Sequence, residues 1–356
     1  RAYQDLYDAQ NVIDDVQIIE STLLEEKIGV NLFHWDTHQK EFCRFKIYST
    51  EGTIPLSDIL PIFEHMGFKV IDERGPHTIK VKNSPSKQVT IHDFGLRTID
   101  KRPFDLKKIR ENFHSLFLQI WNGNCESDGF NALVVRSNLD WRSIIIIRAY
   151  SKFLKQIGIT LSQAYMERAS VAHPKIIGLI ISLFFRRFDP KLVKLGPRKN
   201  ALLRLQIQNL MSAVVSADED RILRRFYNLV ESTTRTNFFQ KTKEGGLKSY
   251  ISFKFDSQKI EDLPLPRPFR EIFVYSPRME GVHLRFGYIA RGGLRWSDRP
   301  EDFRTEILGL VKAQQVKNAV IVPVGSKGGF VLKKPPPKID RDAYLAEGIE
   351  CYKTLI

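Results

Sequence analysis

Residues 291–330 read RGGLRWSDRPEDFRTEILGLVKAQQVKNAVIVPVGSKGGF. The stretch sets Arg291, Lys317 and Lys327 beside the pairs Gly292-Gly293 and Gly328-Gly329. Glycine lets backbone N–H groups approach a ligand with no Cβ in the way. Positive charge next to open backbone suits a small dianion. Phe303, Ile307, Leu310, Gln314 and Lys317 follow one another at steps of three and four, so they share one helix face. The first three are apolar, so that face is expected to be buried. Gln314 and Lys317 continue it as polar groups that need partners. An acidic partner of structural use is the alternative for Lys317. Arg291 offers a planar fork for a carboxylate. A lysine crowded by two other cations, as Lys327 is here, is suited to acid–base work. One cation for each of two carboxylates and a third for proton chemistry point to a dicarboxylate substrate.

Working outward, residues 246–356 read as the start of an α/β substrate domain. Strands are expected at Tyr250–Phe255, Glu271–Tyr275 and Val282–Ala290. A helix capped by Ser297 or Asp298 is expected over Pro300–Asn318. A buried-type strand over Ala319–Val324 then leads into a loop, Gly325–Gly329, at its C-terminal end, where open α/β sheets place their ligands. Asp340–Leu355 reads as a further helix. GSKGG lacks the G-x-x-x-x-G-K-[ST] of a phosphate loop.

Residues 98–245 read as a helical domain. Apolar residues recur at helix period in Asp105–Trp121, Asp140–Ile157, Ser162–Ala172, His173–Phe188, Ala201–Ser216 and Glu219–Ser232. Asp140 is a natural N-cap and Gly158 a stop. Ile144–Ile147 is apolar all round, which places its helix centrally. Trp121 and Trp141 are expected in the core. Residues 1–97 read as a small α+β domain of ferredoxin-like or ACT-like type. It has strands at Glu41–Thr50, Phe68–Glu73 and Gln88–Leu96, a helix at Pro55–Met66, and turns at Gly75-Pro76 and Asn83–Lys87. His92-Asp93 reads as a strand-end polar pair.

The chain has 356 residues, 42% hydrophobic and 27% charged, a globular composition. Its apolar runs are too short to span a bilayer, so no membrane partner is expected. Cys43, Cys125 and Cys351 are odd in number and widely spaced, which fits a reducing cytoplasm and no zinc ribbon or other metal site. The formal charge of +14 raises a nucleic-acid partner. The basic residues are dispersed without a recognition motif, however, and none is expected.

At Arg291-Gly292-Gly293-Leu294-Arg295, Gln314-Gln315-Val316-Lys317 and Pro323–Gly329 the chain resembles the amino-acid dehydrogenases, specifically glutamate dehydrogenase, with its K-G-G-[ILV]-R, Q-x-x-K and P-x-G-G-x-K-G-G segments. IHDFGL (Ile91–Leu96), ESDGFN (Glu126–Asn131) and VYSPRMEGVHLRFG (Val274–Gly287) resemble the large NAD-specific glutamate dehydrogenases more closely. The resemblance implies ACT-like and helical parts ahead of a catalytic domain. It implies that Arg291 holds the side-chain carboxylate of L-glutamate, that Gln314 and Lys317 hold the α-carboxylate, that Gly292 and Gly293 line the site, and that Lys327 is catalytic. Arg replaces the family Lys at 291, exchanging a point charge for a fork. The segment between Lys317 and Lys327 is shorter than in the compact enzymes. The resemblance further implies conversion of L-glutamate to 2-oxoglutarate and ammonia, an amino-acid effector at the ACT-like domain, and a homo-oligomer. The chain contains no G-x-G-x-x-G. Its reading is therefore a fragment, inactive alone, with NAD and a catalytic Asp held by a part further along. A dehydrogenase of another amino acid and a non-catalytic regulatory module remain the alternatives.

Overall fold

Cys43, Phe45 and Ile47 alternate with Arg44, Lys46 and Tyr48 along one strand, and both sets are buried. A strand of this pattern needs an apolar layer on one face and a polar, fully bonded layer on the other. In the computed structural model, which describes residues 7, 9–25, 28–34, 40–81, 84–193, 197–317 and 324–356, both layers are present. The chain divides into two units, residues 1–144 and 145–356.

The first unit contains α1 (Ala9–Glu25), β1 (Gly29–Phe33), β2 (Phe42–Ser49), α2 (Leu56–His65), β3 (Phe68–Val81), β4 (Ser84–Thr98), α3 (Leu106–Trp121), a 3₁₀ turn (Gly129–Ala132) and α4 (Leu133–Ser137). The strands form an antiparallel sheet in the order β1-β2-β4-β3. On one face Phe45 meets Phe63 of α2 at 5.4 Å and Phe117 of α3 at 4.9 Å between ring centroids. On the other face α1 brings Asp15 to Lys46 at 2.5 Å and to the Tyr48 hydroxyl. Asp93 accepts from Arg44 Nε at 2.7 Å and from the Tyr7 hydroxyl at 2.5 Å.

Several expectations for this unit change. α1 and β1 had no counterpart in the reading. Asp93 and His92 are not at a strand end: both are buried mid-strand, and His92 accepts from Ile54 N and meets Glu73 at 2.7 Å. Gly75-Pro76 lies inside β3, where the pairing with β4 shifts register and Gly75 takes φ +111°. Of the second expected turn, residues 84–87 belong to β4, and Asn83 lies outside the described residues. Trp121 and Trp141 are half-buried rather than core.

The boundary between the units falls within α5 (Trp141–Gln156). Asp140 caps it by accepting from Ser143 N at 2.8 Å, and Gly158 follows at φ +94°. Ile144–Ile147 are all buried, as expected of a central helix.

The second unit continues with α6 (Gln163–Ala172), α7 (Pro174–Phe188), α8 (Pro197–Met211), α9 (Ala217–Ser232), β5 (Thr233–Thr236), β6 (Ile251–Phe255), β7 (Arg270–Tyr275), β8 (Met279–Arg285), β9 (Ala290–Arg291), β10 (Leu294–Trp296), α10 (Phe303–Lys317), β11 (Val324–Leu332) and α11 (Arg341–Leu355). The sheet order is β10-β11-β8-β7-β6-β5, with β9 also on β11. β9 and β10 run parallel to β11, and the other neighbours are antiparallel. One face packs on α5, where Phe153 meets Phe255 and Tyr150 meets Phe253, each at 4.7 Å. The opposite face packs Val274, Met279, Phe330 and Leu332 against Cys351 of α11. The expected loop Gly325–Gly329 is strand, part of β11, and the expected strand at 282–290 ends at Arg285. Residues 319–323 of the strand expected before it lie outside the described residues.

α10 lies on the α5 side of the sheet through Phe303, Ile307, Leu308 and Val311, all buried. Leu310, expected in this stripe, is 36% exposed, because the face rotates toward 304 and 308. The reason is Arg304. It is 1% exposed and grips Glu271 of β7 with Nε and Nη2 at 2.6 and 2.7 Å. A buried pair of this kind is stable only with both partners present. Gln156 of α5 accepts from Arg304 N at 3.1 Å and donates to Pro300 O at 2.8 Å, fixing the start of the helix. Ser297 does not cap it; its hydroxyl donates to Glu306. Among the described residues no single helix is long and apolar enough to cross a membrane.

His114 of α3 accepts from Leu32 N at 2.8 Å, and burial, aided by Arg110, lowers its pKa from 6.5 to about 4. A histidine held neutral in the fold binds its proton more readily when unfolded. Its contribution is complete above about pH 6.5 and is lost as pH falls toward 4. Thermal melts of wild type and His114→Gln across this window are expected to show a flatter pH dependence for the variant. Parallel curves would contradict the assignment.

Candidate active site

The pairs Ala290↔Val324, Arg291↔Gly325, Leu294↔Gly328, Arg295↔Gly329 and Trp296↔Phe330 keep one constant offset. Gly292 and Gly293 therefore fall opposite Ser326 and Lys327. A Cβ on Gly292 would lie 1.4 Å from the carbonyl oxygen of Ser326, so no other residue fits there without moving backbone. A Cβ on Gly293 would meet nothing within 4 Å, which leaves open space directly across from Lys327.

The next constraint is on β11. A Cβ on Gly329 would meet Ile307 Cδ1 at 2.4 Å, and one on Gly325 would meet Gln314 Oε1 at 2.9 Å. These glycines let α10 lie directly on the strand. Alternation puts Lys327, between them, on the same α10 face. It is half-buried there. Arg291 pairs with Gly325 in parallel register, so it shares that side, with its guanidinium exposed. Gln314 donates from Nε2 to Arg291 O at 2.9 Å, and its Oε1 is buried without a partner among the described residues. Lys317 closes α10 at the same end as Gln314; its side chain lies outside what is described. The structure thus gathers Arg291, Gly292, Gly293, Gln314 and Lys327 around one edge of β11, beneath the end of α10.

The charges around this edge are sorted. Arg295 pairs with Glu306 at 2.5 Å, Arg304 with Glu271 at 2.6 Å and Lys333 with Glu280 at 3.2 Å, while Arg299 meets Asp302 and Arg278 meets Glu347. Among the described residues, neither Arg291 nor Lys327 has a carboxylate partner. The clamp Gln156–Arg304–Glu271 was missed in the sequence. Its signal was a lone Glu in the apolar strand REIFVY, matched by an Arg within the apolar side of α10.

Comparison with known proteins matches three parts of the chain to family models of one class of oxidoreductase. Residues 27–109 match the glutamate dehydrogenase ACT3 domain, residues 125–190 glutamate dehydrogenase helical motif 3, and residues 206–356 the catalytic domain of bacterial NAD-glutamate dehydrogenase. The chain belongs to the NAD-specific glutamate dehydrogenase family. It is 42% identical to the NAD-specific glutamate dehydrogenase of Halomonas elongata over 355 residues, covering 100% of this chain and 22% of that protein. The figures are 42% over 357 residues for the Pseudomonas aeruginosa protein, covering 99% of this chain and 22% of the relative. The Mycobacterium tuberculosis protein is 42% identical over 370 residues, covering 100% and 22%. The chain therefore spans about a fifth of the length of these relatives. The α+β organisation, with an ACT domain, a helical motif and a catalytic domain, agrees with the fold class read from the sequence.

The two adjacent glycines separate structure from lining. Gly292→Ala is expected to lower the melting temperature by several degrees, since the Ser326 carbonyl must move. Gly293→Ala is expected to leave it within about 1 °C, as for an uncrowded surface change. Equal effects in calorimetry would refute the backbone approach described here.

Proposed function

We propose that this chain supplies the substrate-binding edge of an NAD-dependent glutamate dehydrogenase that converts L-glutamate to 2-oxoglutarate and ammonia. The observation that carries the reading is the pair of cations Arg291 and Lys327 on the α10 face of β11, without a carboxylate partner among the described residues, where Arg295, Arg304 and Lys333 each have one. Arg291 clamps the side-chain carboxylate with its planar fork. Gln314 and Lys317, at the end of α10, take the α-carboxylate, Gln314 as a donor through its amide Nε2. Gly293 leaves room for the carbon chain. Lys327 then faces Cα across the open space and manages the proton of water addition at that carbon. Holding both ends of the substrate fixes Cα, a positional effect worth orders of magnitude in rate.

NAD, the acceptor in this reaction, does not fit the residues described here. The chain has no G-x-G-x-x-G, and we assign the dinucleotide to another part of the larger enzyme. The division into an ACT-like domain (1–97), a helical domain (98–245) and the first part of the catalytic domain (246–356) belongs to the same reading, as do a homo-oligomer and a cytoplasmic location. The amino-acid effector belongs, in this reading, to the first unit. A cavity of about 610 Å³ there is lined by Ser49–Pro55, Asp58, Leu118, Gln119, Trp121 and Asn122 among others, and Glu51 and Asp58 give it carboxylates for an ammonium group.

In the full-length enzyme, Arg291→Met is expected to lower kcat/KM for glutamate about a hundredfold, as for loss of a charge-assisted fork. A neutral amino acid of similar length is expected to change little. Lys327→Ala is expected to lower kcat by roughly 10²–10⁴. Unchanged discrimination in Arg291→Met would remove Arg291 from the substrate site.

A further inference from the structure

Among the described residues, α11 covers the sheet face turned away from α10 at the Val274 and Phe330 end. At its other end it carries cations across four adjacent strands, which the dehydrogenase reading does not use. Arg235 of β5 lies directly opposite Lys254 of β6, and Arg270 of β7 directly opposite Arg285 of β8. Glu271 points to α10 through Arg304, so its neighbour Arg270 points the other way. Lys254 shares that side, in the row Lys254–Ile272–His283–Gly328.

Like charges directly opposite one another across a ladder destabilise a sheet. The carboxylate shown to answer them is Asp256, which holds Arg270 at 3.0 Å. Arg285 is turned onto the carbonyls of Gly287, at 2.8 Å, and Tyr288. Arg235 and Lys254 have no ion pair among the described residues. Partial burial, then the charges of Arg235, Arg285 and Arg270, press the Lys254 pKa downward. An aromatic rim borders the cations: Phe269 packs on Tyr288 at 4.4 Å, Arg270 sits 4.3 Å from the Phe269 ring, and Tyr288 is 82% exposed.

We propose that this face docks a short acidic segment of a protein, two or three carboxylates beside an apolar side chain. Arg235 and Lys254 receive the carboxylates, and Tyr288 receives the apolar group. Tyrosine and arginine are the residues that anchor protein interfaces. A nucleic acid fits less well. A tracked phosphate backbone takes roughly six to ten cationic contacts, and Arg270 and Arg285 are already engaged.

The test uses a fluorescent peptide of about twelve residues with a Glu-Glu-Leu-Phe-Glu core, titrated by anisotropy with the full-length enzyme at moderate salt. Arg235→Gln with Lys254→Gln is expected to weaken binding tenfold or more. Lys69→Gln with Lys107→Gln removes the same charge from exposed sites in the first unit and is expected to change it less than twofold. Lys254→Gln alone is expected to raise the melting temperature by roughly 1–3 °C, as relief of like-charge pairing does. Equal losses from the two double variants, tighter patch-dependent binding of an oligothymidylate of equal charge, or a lowered melting temperature for Lys254→Gln would each overturn the proposal. None of these readouts depends on dehydrogenase activity, so its failure is distinct from failure of the substrate-site reading.

Discussion

The second unit depends on how closely other backbones approach β11. Gly292 admits the Ser326 carbonyl, and Gly325 and Gly329 admit α10. These contacts are steric and leave no room for a side chain, so they define the position of Lys327 more firmly than any bond it makes. The Arg304–Glu271 pair then fixes α10 against the sheet, and Gln156 fixes where the helix begins. Glycine supplies closeness and the buried pair supplies register. The proposed ligand edge is held by the scaffold rather than by a loop.

The same principle acts in the first unit with charge in place of glycine. The outward face of β2 carries Arg44 and Lys46, yet both are buried because α1 brings Asp15 and the sheet itself supplies Asp93. Buried charges survive only when their partners are fixed beside them. Ion pairs of this kind cancel within the count, so the formal charge of +14 is the excess left after every carboxylate has been matched to a cation.

Much of this was legible in the sequence. Asp140 and Gly158 marked the ends of α5 correctly, since caps and left-handed stops act locally. The strands β6 and β7 also lay where their patterns placed them. Other features were not legible because they are decided by distant chain. Gly325–Gly329 looked like a loop, because glycine weakens strand propensity; only α10 lying on those glycines explains a strand there. Leu310 fitted the helix stripe, but Arg304 and its partner Glu271 rotate the buried face away from it. His92 and Asp93 looked peripheral because nothing local marks the arrival of Arg44, Glu73 and Tyr7.

The most direct test of the substrate edge is protection of Lys327 in the full-length enzyme. The rate at which an amine-acylating reagent modifies Lys327, followed by peptide mass mapping, is measured with glutarate, with butyrate and without either. The account predicts that glutarate, a five-carbon diacid, slows modification of Lys327 severalfold or more, while butyrate, with a single carboxylate, does not. An unchanged rate at saturating glutarate, or equal protection by both acids, would contradict it.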